Sequence, residues 1–253
     1  MILLSLCIPT YNRVETLMVM LDHVICDPDF DEEVEIVISD NCSTDDTEME
    51  VRKITSKHHN VKYYRNSENL KDQNFYLALS RGEGAYLKLL NDYITFRIGA
   101  LKMMKDYVRR YLNSDINLFF YSNLRSPYRS FKEVQFENVD SFAHDINNKI
   151  TWIANFGVWK RNFRELGNSD KLWRTQLAQM DWTLHEVSLR KTIVVNYHGY
   201  RALTVPNKKM SYAFFVPLSS GVIIDIAICG LRFFLEYIKS QKRLVEYQLR
   251  TLQ

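Results

Sequence analysis

The sequence contains no CxxC pair and no block of five or more basic residues. Its four cysteines, Cys7, Cys26, Cys42 and Cys229, are scattered without metal-ligand spacing. That excludes a disulfide framework and leaves reduced, structural thiols in a reducing compartment as the expectation. The six histidines show no HxxxH or comparable spacing. A net charge of +3 is too small to argue for nucleic acid. The apolar start, Met1 to Pro9, has neither a basic leader nor a small-residue cleavage site, so it reads as a strand rather than a signal peptide. No glycine-rich phosphate loop with a basic residue follows that strand, which argues against a nucleotidyltransferase. Internal repeats and low-complexity tracts are absent.

What is present describes a globular chain. Its 253 residues are 46% hydrophobic and 25% charged, enough to bury a full core. Apolar runs at 3–8, 33–39, 61–65 and 86–90 read as strands buried on both faces. Between them, residues 14–25, the stretch after Ser43-Thr44, and 72–80 carry helical spacing or helix-start signals. Ser43 and Thr44 are candidate caps, and Asp45 and Asp46 fall in the first turn. A fourth helix is expected over 99–112 and a fifth strand over 116–122. This alternation predicts an α/β fold with a mostly parallel sheet and right-handed crossovers. Beyond Asn123 the pattern loosens: a loop or short antiparallel strands at 126–145, a helix beginning near Lys160, another over 181–189 and a strand over 192–197.

Two strand ends carry polar residues suited to a ligand. The first strand runs into Pro9-Thr10-Tyr11-Asn12-Arg13, and the second into Asp40-Asn41-Cys42-Ser43-Thr44-Asp45. Ligands of open α/β sheets bind outside the carboxyl ends of strands, so this placement predicts a nucleotide site.

These segments, followed in order by Asn66-Ser67-Glu68-Asn69-Leu70, Asn74-Phe75, Gly82-Glu83-Gly84-Ala85-Tyr86-Leu87 and Gly99-Ala100-Leu101, resemble inverting family 2 glycosyltransferases of the GT-A fold, in particular bacterial surface-polysaccharide members. The resemblance covers about residues 1–105 well and 150–190 more loosely. It implies a GT-A domain over 1–210, with a nucleotide-sugar half at 1–123 and an acceptor half at 124–210. It further implies transfer of a sugar from a UDP-sugar donor to a glycan or lipid-linked acceptor, with Pro9, Thr10, Tyr11, Asp40, Asn69, Asn91 and Asp92 at the nucleotide. Asp40 can accept the N3–H of uracil but would repel the N3 acceptor of cytosine. Asp40 as a turn cap and Tyr11 as ordinary packing remain the alternative readings.

The family's acidic metal cluster aligns with Asp92, Tyr93 and Ile94, where only Asp92 can offer a carboxylate to Mg²⁺ or Mn²⁺. Three readings stay open: a metal held by Asp92 and the diphosphate; metal-independent neutralisation by basic side chains such as Lys71, Lys88, Lys208 or Lys209; or a non-catalytic nucleotide- or glycan-binding module. Lys71 also stands where the family usually has glycine. In the loosely matched half, Gln179-Met180-Asp181-Trp182 aligns Asp181 with the family's general base, with an N-cap as its alternative and Glu186 and His185 as fallbacks. His198 is a weaker candidate as a distal metal ligand. Trp152, Trp159 and Trp173 offer either acceptor stacking or core packing.

Phe214 to Leu235 is the most apolar stretch, interrupted by Pro217, Gly221, Asp225 and Arg232 and followed by Lys239, Lys242, Arg243 and Arg250. Within a helical extension expected over 211–253, residues 214–253 thus suit a helix on an anionic membrane surface, or equally a core or dimer helix. The expectation is a cytoplasmic protein, either wholly so or peripheral on the membrane face, and either monomeric or a homo-oligomer.

Overall fold

In the computed structural model the chain divides into two units, Met1–Pro206 and Asn207–Gln253. Residues 1–122, 132–167, 177–196 and 198–203 are described, all in the first unit. The 211–253 extension, Trp173, Lys208 and Lys209 lie outside the described residues.

The chain runs β1 (Leu4–Thr10), α1 (Val14–Ile25), β2 (Val34–Asp40), α2 (Thr47–Thr55), β3 (Val61–Arg65), α3 (Gln73–Ser80) and β4 (Tyr86–Leu89). It continues through β5 (Ile94–Phe96), α4 (Ala100–Tyr111), β6 (Asn117–Tyr121), β7 (Lys132–Phe136), α5 (Val139–Ile146), β8 (Gly157–Trp159), α6 (Ala178–Leu189), β9 (Thr192–Asn196) and β10 (Tyr200–Ala202). The main sheet has the order β3-β2-β1-β4-β8. Its first four strands are parallel, and β8 is antiparallel to β4. Every residue of β2 is buried, which explains why its centre, Ile36-Val37-Ile38, is apolar on both faces rather than alternating. Leu17, Met20, Leu21 and Val24 close α1 onto this sheet at helical spacing.

Successive strands build outward from β1 through β2 to β3, then return to its other side with β4. The order therefore reverses between β1 and β4, where a crevice opens at the carboxyl ends. Pro9 belongs to this opening. Cys7 O accepts the Leu90 N–H on the β4 side and Thr10 O accepts the Asn41 N–H on the β2 side. By alternation Pro9 faces β4, which has already ended at Leu89, so its missing N–H costs no ladder bond.

Three expectations are corrected. The fifth strand does not extend the main sheet; β6 pairs in parallel with β9 in a separate sheet of order β6-β9-β7. The helix expected near Lys160 is replaced by β8 and a single 3₁₀ turn at Phe163–Glu165. The aromatic residues there are used across sheets: Trp159 Nε1 donates to Ile116 O, and the Tyr86 hydroxyl donates to Leu118 O. Gly157 lies against the Tyr86 ring, where a Cβ would clash. Finally, the cap of α2 is neither Ser43 nor Thr44; the helix begins at Thr47, and Asp45 Oδ1 accepts the Thr47 N–H at 3.2 Å.

Candidate active site

The crevice between β1 and β4 is bridged by side chains. Thr10 Oγ1 donates to Asp92 Oδ2 at 3.0 Å, and Arg13 Nη1 donates to Asp92 Oδ1 at 2.9 Å. Asp92 is only 3% exposed. Burial pushes its carboxyl above the ordinary range, against the pull of Arg13 and the Thr10 hydrogen bond. The neighbouring positions of the aligned triplet turn away from ligand chemistry: Tyr93 is hydrogen-bonded to Trp152, and Ile94 is core. Among the described residues no group of three or more His, Cys, Asp or Glu is placed to hold a metal ion. Both Asp92 oxygens already accept from Thr10 and Arg13, so a Mg²⁺ or Mn²⁺ ion here would have to displace one of these bonds and take the rest of its shell from the diphosphate and water.

On the other side of β1, the loops after β1 and β2 are laced together. Asn12, at φ 51°, accepts the Thr44 N–H on Oδ1 at 2.7 Å, while its own N–H donates to Ser43 Oγ at 2.9 Å. Asp45 Oδ2 accepts the Val14 N–H at the start of α1. Asp40 is fully buried. Its Oδ1 accepts from the Ser43 N–H and hydroxyl at 3.0 and 2.5 Å, and its Oδ2 from the Tyr63 hydroxyl at 2.6 Å. The turn-cap role of Asp40 is thus present in the geometry. Tyr11, the residue after β1, is 42% exposed, and Pro9 within β1 is half-buried.

Asparagines fix the third loop. Asn41 Nδ2 donates to Asn69 Oδ1 at 2.8 Å and Asn41 Oδ1 accepts the Leu70 N–H at 2.8 Å. Asn66 Nδ2 bonds both Asn41 Oδ1 and Asn74 Oδ1. Asn69 also accepts the Lys71 N–H. Lys71 itself sits at φ 51°, the left-handed conformation that glycine takes freely. Its position is therefore a backbone requirement, with the side chain exposed.

The remaining candidates separate. Lys88 is buried in β4, donating to Ala154 O and Phe156 O, and so is withdrawn from any diphosphate. His198 Nε2 pairs with Arg97 Nη2 at 2.9 Å beyond the far end of β5 from Asp92. Trp159 packs in the core, edge-on to Tyr86, and the partly buried Trp152 packs against that core, edge-on to Tyr200. Asp181 lies half-buried in the first turn of α6, not at its cap. A short path joins that turn to Asp92: Tyr93 bonds Trp152, next to Thr151, whose carbonyl accepts Gln179 Nε2 at 2.6 Å. Glu186 is at the opposite end of α6, near Asn117 where β6 begins, and burial pushes its carboxyl up to about 7. Among the described residues the buried side-chain atoms without a hydrogen-bond partner include Asn91 Oδ1, next to Asp92, and Ser122 Oγ and Gln179 Oε1, near the 147–156 segment. Ser122 is anchored there through Asn155, and Gln179 through Thr151.

Sequence reading missed Arg13, Tyr63, Ser122 and Gln179. Arg13 was in plain view within Pro9-Thr10-Tyr11-Asn12-Arg13, but its partner is 79 residues away.

Comparison with known proteins gives a consistent result. Abequosyltransferase RfbV of Salmonella typhimurium (strain LT2) is 33% identical over 141 residues, spanning 51% of this chain and 41% of that protein. The crystal structure of S. aureus TarS 1-349 superposes with a TM-score of 0.61 at 18% identity, over 79% of this chain and 60% of that fragment. TarS 1-349 in complex with UDP-GlcNAc superposes at 0.59 and 20% identity, over 85% of this chain and 62% of that one. The chain thus spans less than two thirds of each. The fold is the GT-A type, a mostly parallel sheet flanked by helices. The family model of Glycosyl transferase family 2 matches residues 5–167, well over half of the sequence, and the chain belongs to that family.

Proposed function

We propose that the chain transfers one sugar from a UDP-sugar to a glycan or lipid-linked acceptor, with inversion, in surface polysaccharide synthesis. The observation that carries this reading is the Thr10–Asp92 contact across the crevice where the strand order reverses, in a family 2 chain. In this reading Tyr11 lies against the base, with Pro9, Thr10, Asp40, Asn69 and Asn91 around the nucleotide and Asp92 near the diphosphate. The unpartnered acceptors Asn91 Oδ1, Ser122 Oγ and Gln179 Oε1 suit a hydroxyl-rich sugar, because a buried polar atom without a partner costs about 1–3 kcal/mol until one arrives.

The acceptor oxygen bonds to the anomeric carbon from the face opposite the leaving group. The bond from that carbon to the diphosphate oxygen breaks, and its electron pair leaves with UDP. The acceptor proton passes to Asp181 as general base. A second reading, a binding module without turnover, is favoured by one observation: the surviving acidic residue is already ion-paired to Arg13. Peripheral membrane contact through 214–253 and a homo-oligomer belong to the proposal; among the described residues no helix is long and apolar enough to cross a membrane.

Thermal-shift titration with UDP, CDP and GDP tests the donor, since a ligand raises apparent stability by mass action. Stabilisation by UDP above CDP and GDP is expected; equal shifts for all three would overturn the uridine assignment. Release of UDP from a panel of UDP-sugars then separates transferase from binding module.

A further inference from the structure

Arg13 and Asp92 pair at 2.9 Å, the carboxylate almost closed off from solvent and the guanidinium side chain 30% exposed. Together they sum to no net charge, whereas a cluster of two or three carboxylates would draw in a divalent ion. Arg13 uses only Nη1 on Asp92; among the described residues its Nε and Nη2 make no hydrogen bond. Its backbone is held as well: the preceding Asn12 is locked to Ser43 and Thr44, and the following Val14 N–H is taken by Asp45. A guanidinium with one edge fixed and the other free matches phosphate oxygens, which it grips with paired N–H groups.

We propose that Arg13 is the permanent cation of this site. It stands in the role that a divalent ion fills beside a full acidic cluster, and it binds the diphosphate of the donor and of the departing nucleotide. Asp92 then acts as a positioning residue that holds the guanidinium at the crevice, rather than as a metal ligand. This rests on the reading of a nucleoside diphosphate donor given above.

Calorimetric titration of the full chain with UDP and with uridine, in EDTA and in Mn²⁺, tests it. UDP affinity of the unmodified chain should differ by less than about twofold between EDTA and Mn²⁺. Arg13→Gln should weaken UDP by about tenfold or more while uridine changes by less than about threefold, because only the charged groups lose a partner. Because Arg13→Gln strands a buried carboxylate, the double variant Arg13→Gln/Asp92→Asn is the control for folding; it should regain thermal stability but not UDP affinity. Asp92→Asn, whose amide oxygen can still accept from Arg13, should weaken UDP by less than Arg13→Gln does and by the same factor in EDTA and in Mn²⁺, whereas loss of a metal ligand would show only in Mn²⁺. A Mn²⁺ requirement in the unmodified chain, or equal losses of UDP and uridine in Arg13→Gln, would overturn the proposal. If neither UDP nor uridine binds the unmodified chain, the donor reading falls with it. If both bind and Arg13→Gln leaves UDP untouched, only the Arg13 proposal falls.

Discussion

The Tyr63 hydroxyl donates to Asp40 Oδ2 at 2.6 Å, capping the carboxylate that the sequence assigns to the base edge. Burial first, and the Asp40 hydrogen bond second, hold this phenol well above its ordinary range, so it remains a donor throughout the neutral region. A uracil N3–H reaching Asp40 must therefore share or take over the position Tyr63 now fills. Tyr63→Phe should lower thermal stability by about 1–3 kcal/mol, the cost of removing a donor from a buried charge. The same change should tighten UDP binding, by about two- to tenfold if half of that cost is recovered on binding. Weaker UDP binding in Tyr63→Phe would make the tyrosine a contact of the nucleotide rather than a stand-in for it.

Asp181→Asn separates the two roles open to that residue. As general base, its loss should lower kcat by about 10²–10⁴-fold while UDP affinity stays within about twofold. As a mere first-turn carboxylate of α6, its loss would cost about 0.3–1 kcal/mol of stability and leave the rate intact. Single-turnover sugar transfer, with calorimetry on the same preparation, distinguishes them.

Lys71→Gly asks whether position 71 matters through charge or backbone. A non-glycine residue at φ 51° pays about 1–2 kcal/mol. Glycine gives back about 0.5–1 kcal/mol through the flexibility of the unfolded chain. Melting should therefore be unchanged or slightly raised, and UDP affinity unchanged. A tenfold loss of UDP affinity would restore the ammonium group as a diphosphate partner.

The parallel sheet was legible because β1, β2 and β4 are buried on both faces, and a run such as Glu35-Ile36-Val37-Ile38 has few other uses. The second sheet was not. Asn117–Tyr121 looks like one more crossover strand, and nothing local says that it will choose β9, about 70 residues on, over β4. The same limit governs the site. Pro9, Thr10, Tyr11, Asp40 and Asp92 stand out because each lies at a strand end, a position that periodicity supplies. The states of Asp40 and Asp92 depend on Tyr63 and Arg13, whose side chains meet them only after folding. Lys88 misled for a related reason: a charged residue in a four-residue strand looks available, yet two backbone carbonyls from the 153–156 turn take its ammonium group inside the core.

Glu186 supplies a pH test independent of nucleotide. Its carboxyl is raised by burial to about 7 from 4.5, despite the Arg190 guanidinium at 3.4 Å, which also serves Glu165 and Asp115. Because the folded value is the higher one, the folded chain holds the proton more tightly than the unfolded chain. The stability this contributes is complete below about pH 4.5 and is lost progressively as pH rises through about 7, on the order of 3 kcal/mol in all. Glu186→Gln keeps an acceptor for Asn162 and Arg190 but cannot ionise. Its melting temperature should therefore exceed that of the unmodified chain at pH 8 and approach it at pH 5. A parallel offset at both pH values would mean that Glu186 titrates as an ordinary carboxylate. Since it braces the end of α6 away from Asp181, UDP affinity at pH 8 should be unchanged in the same variant.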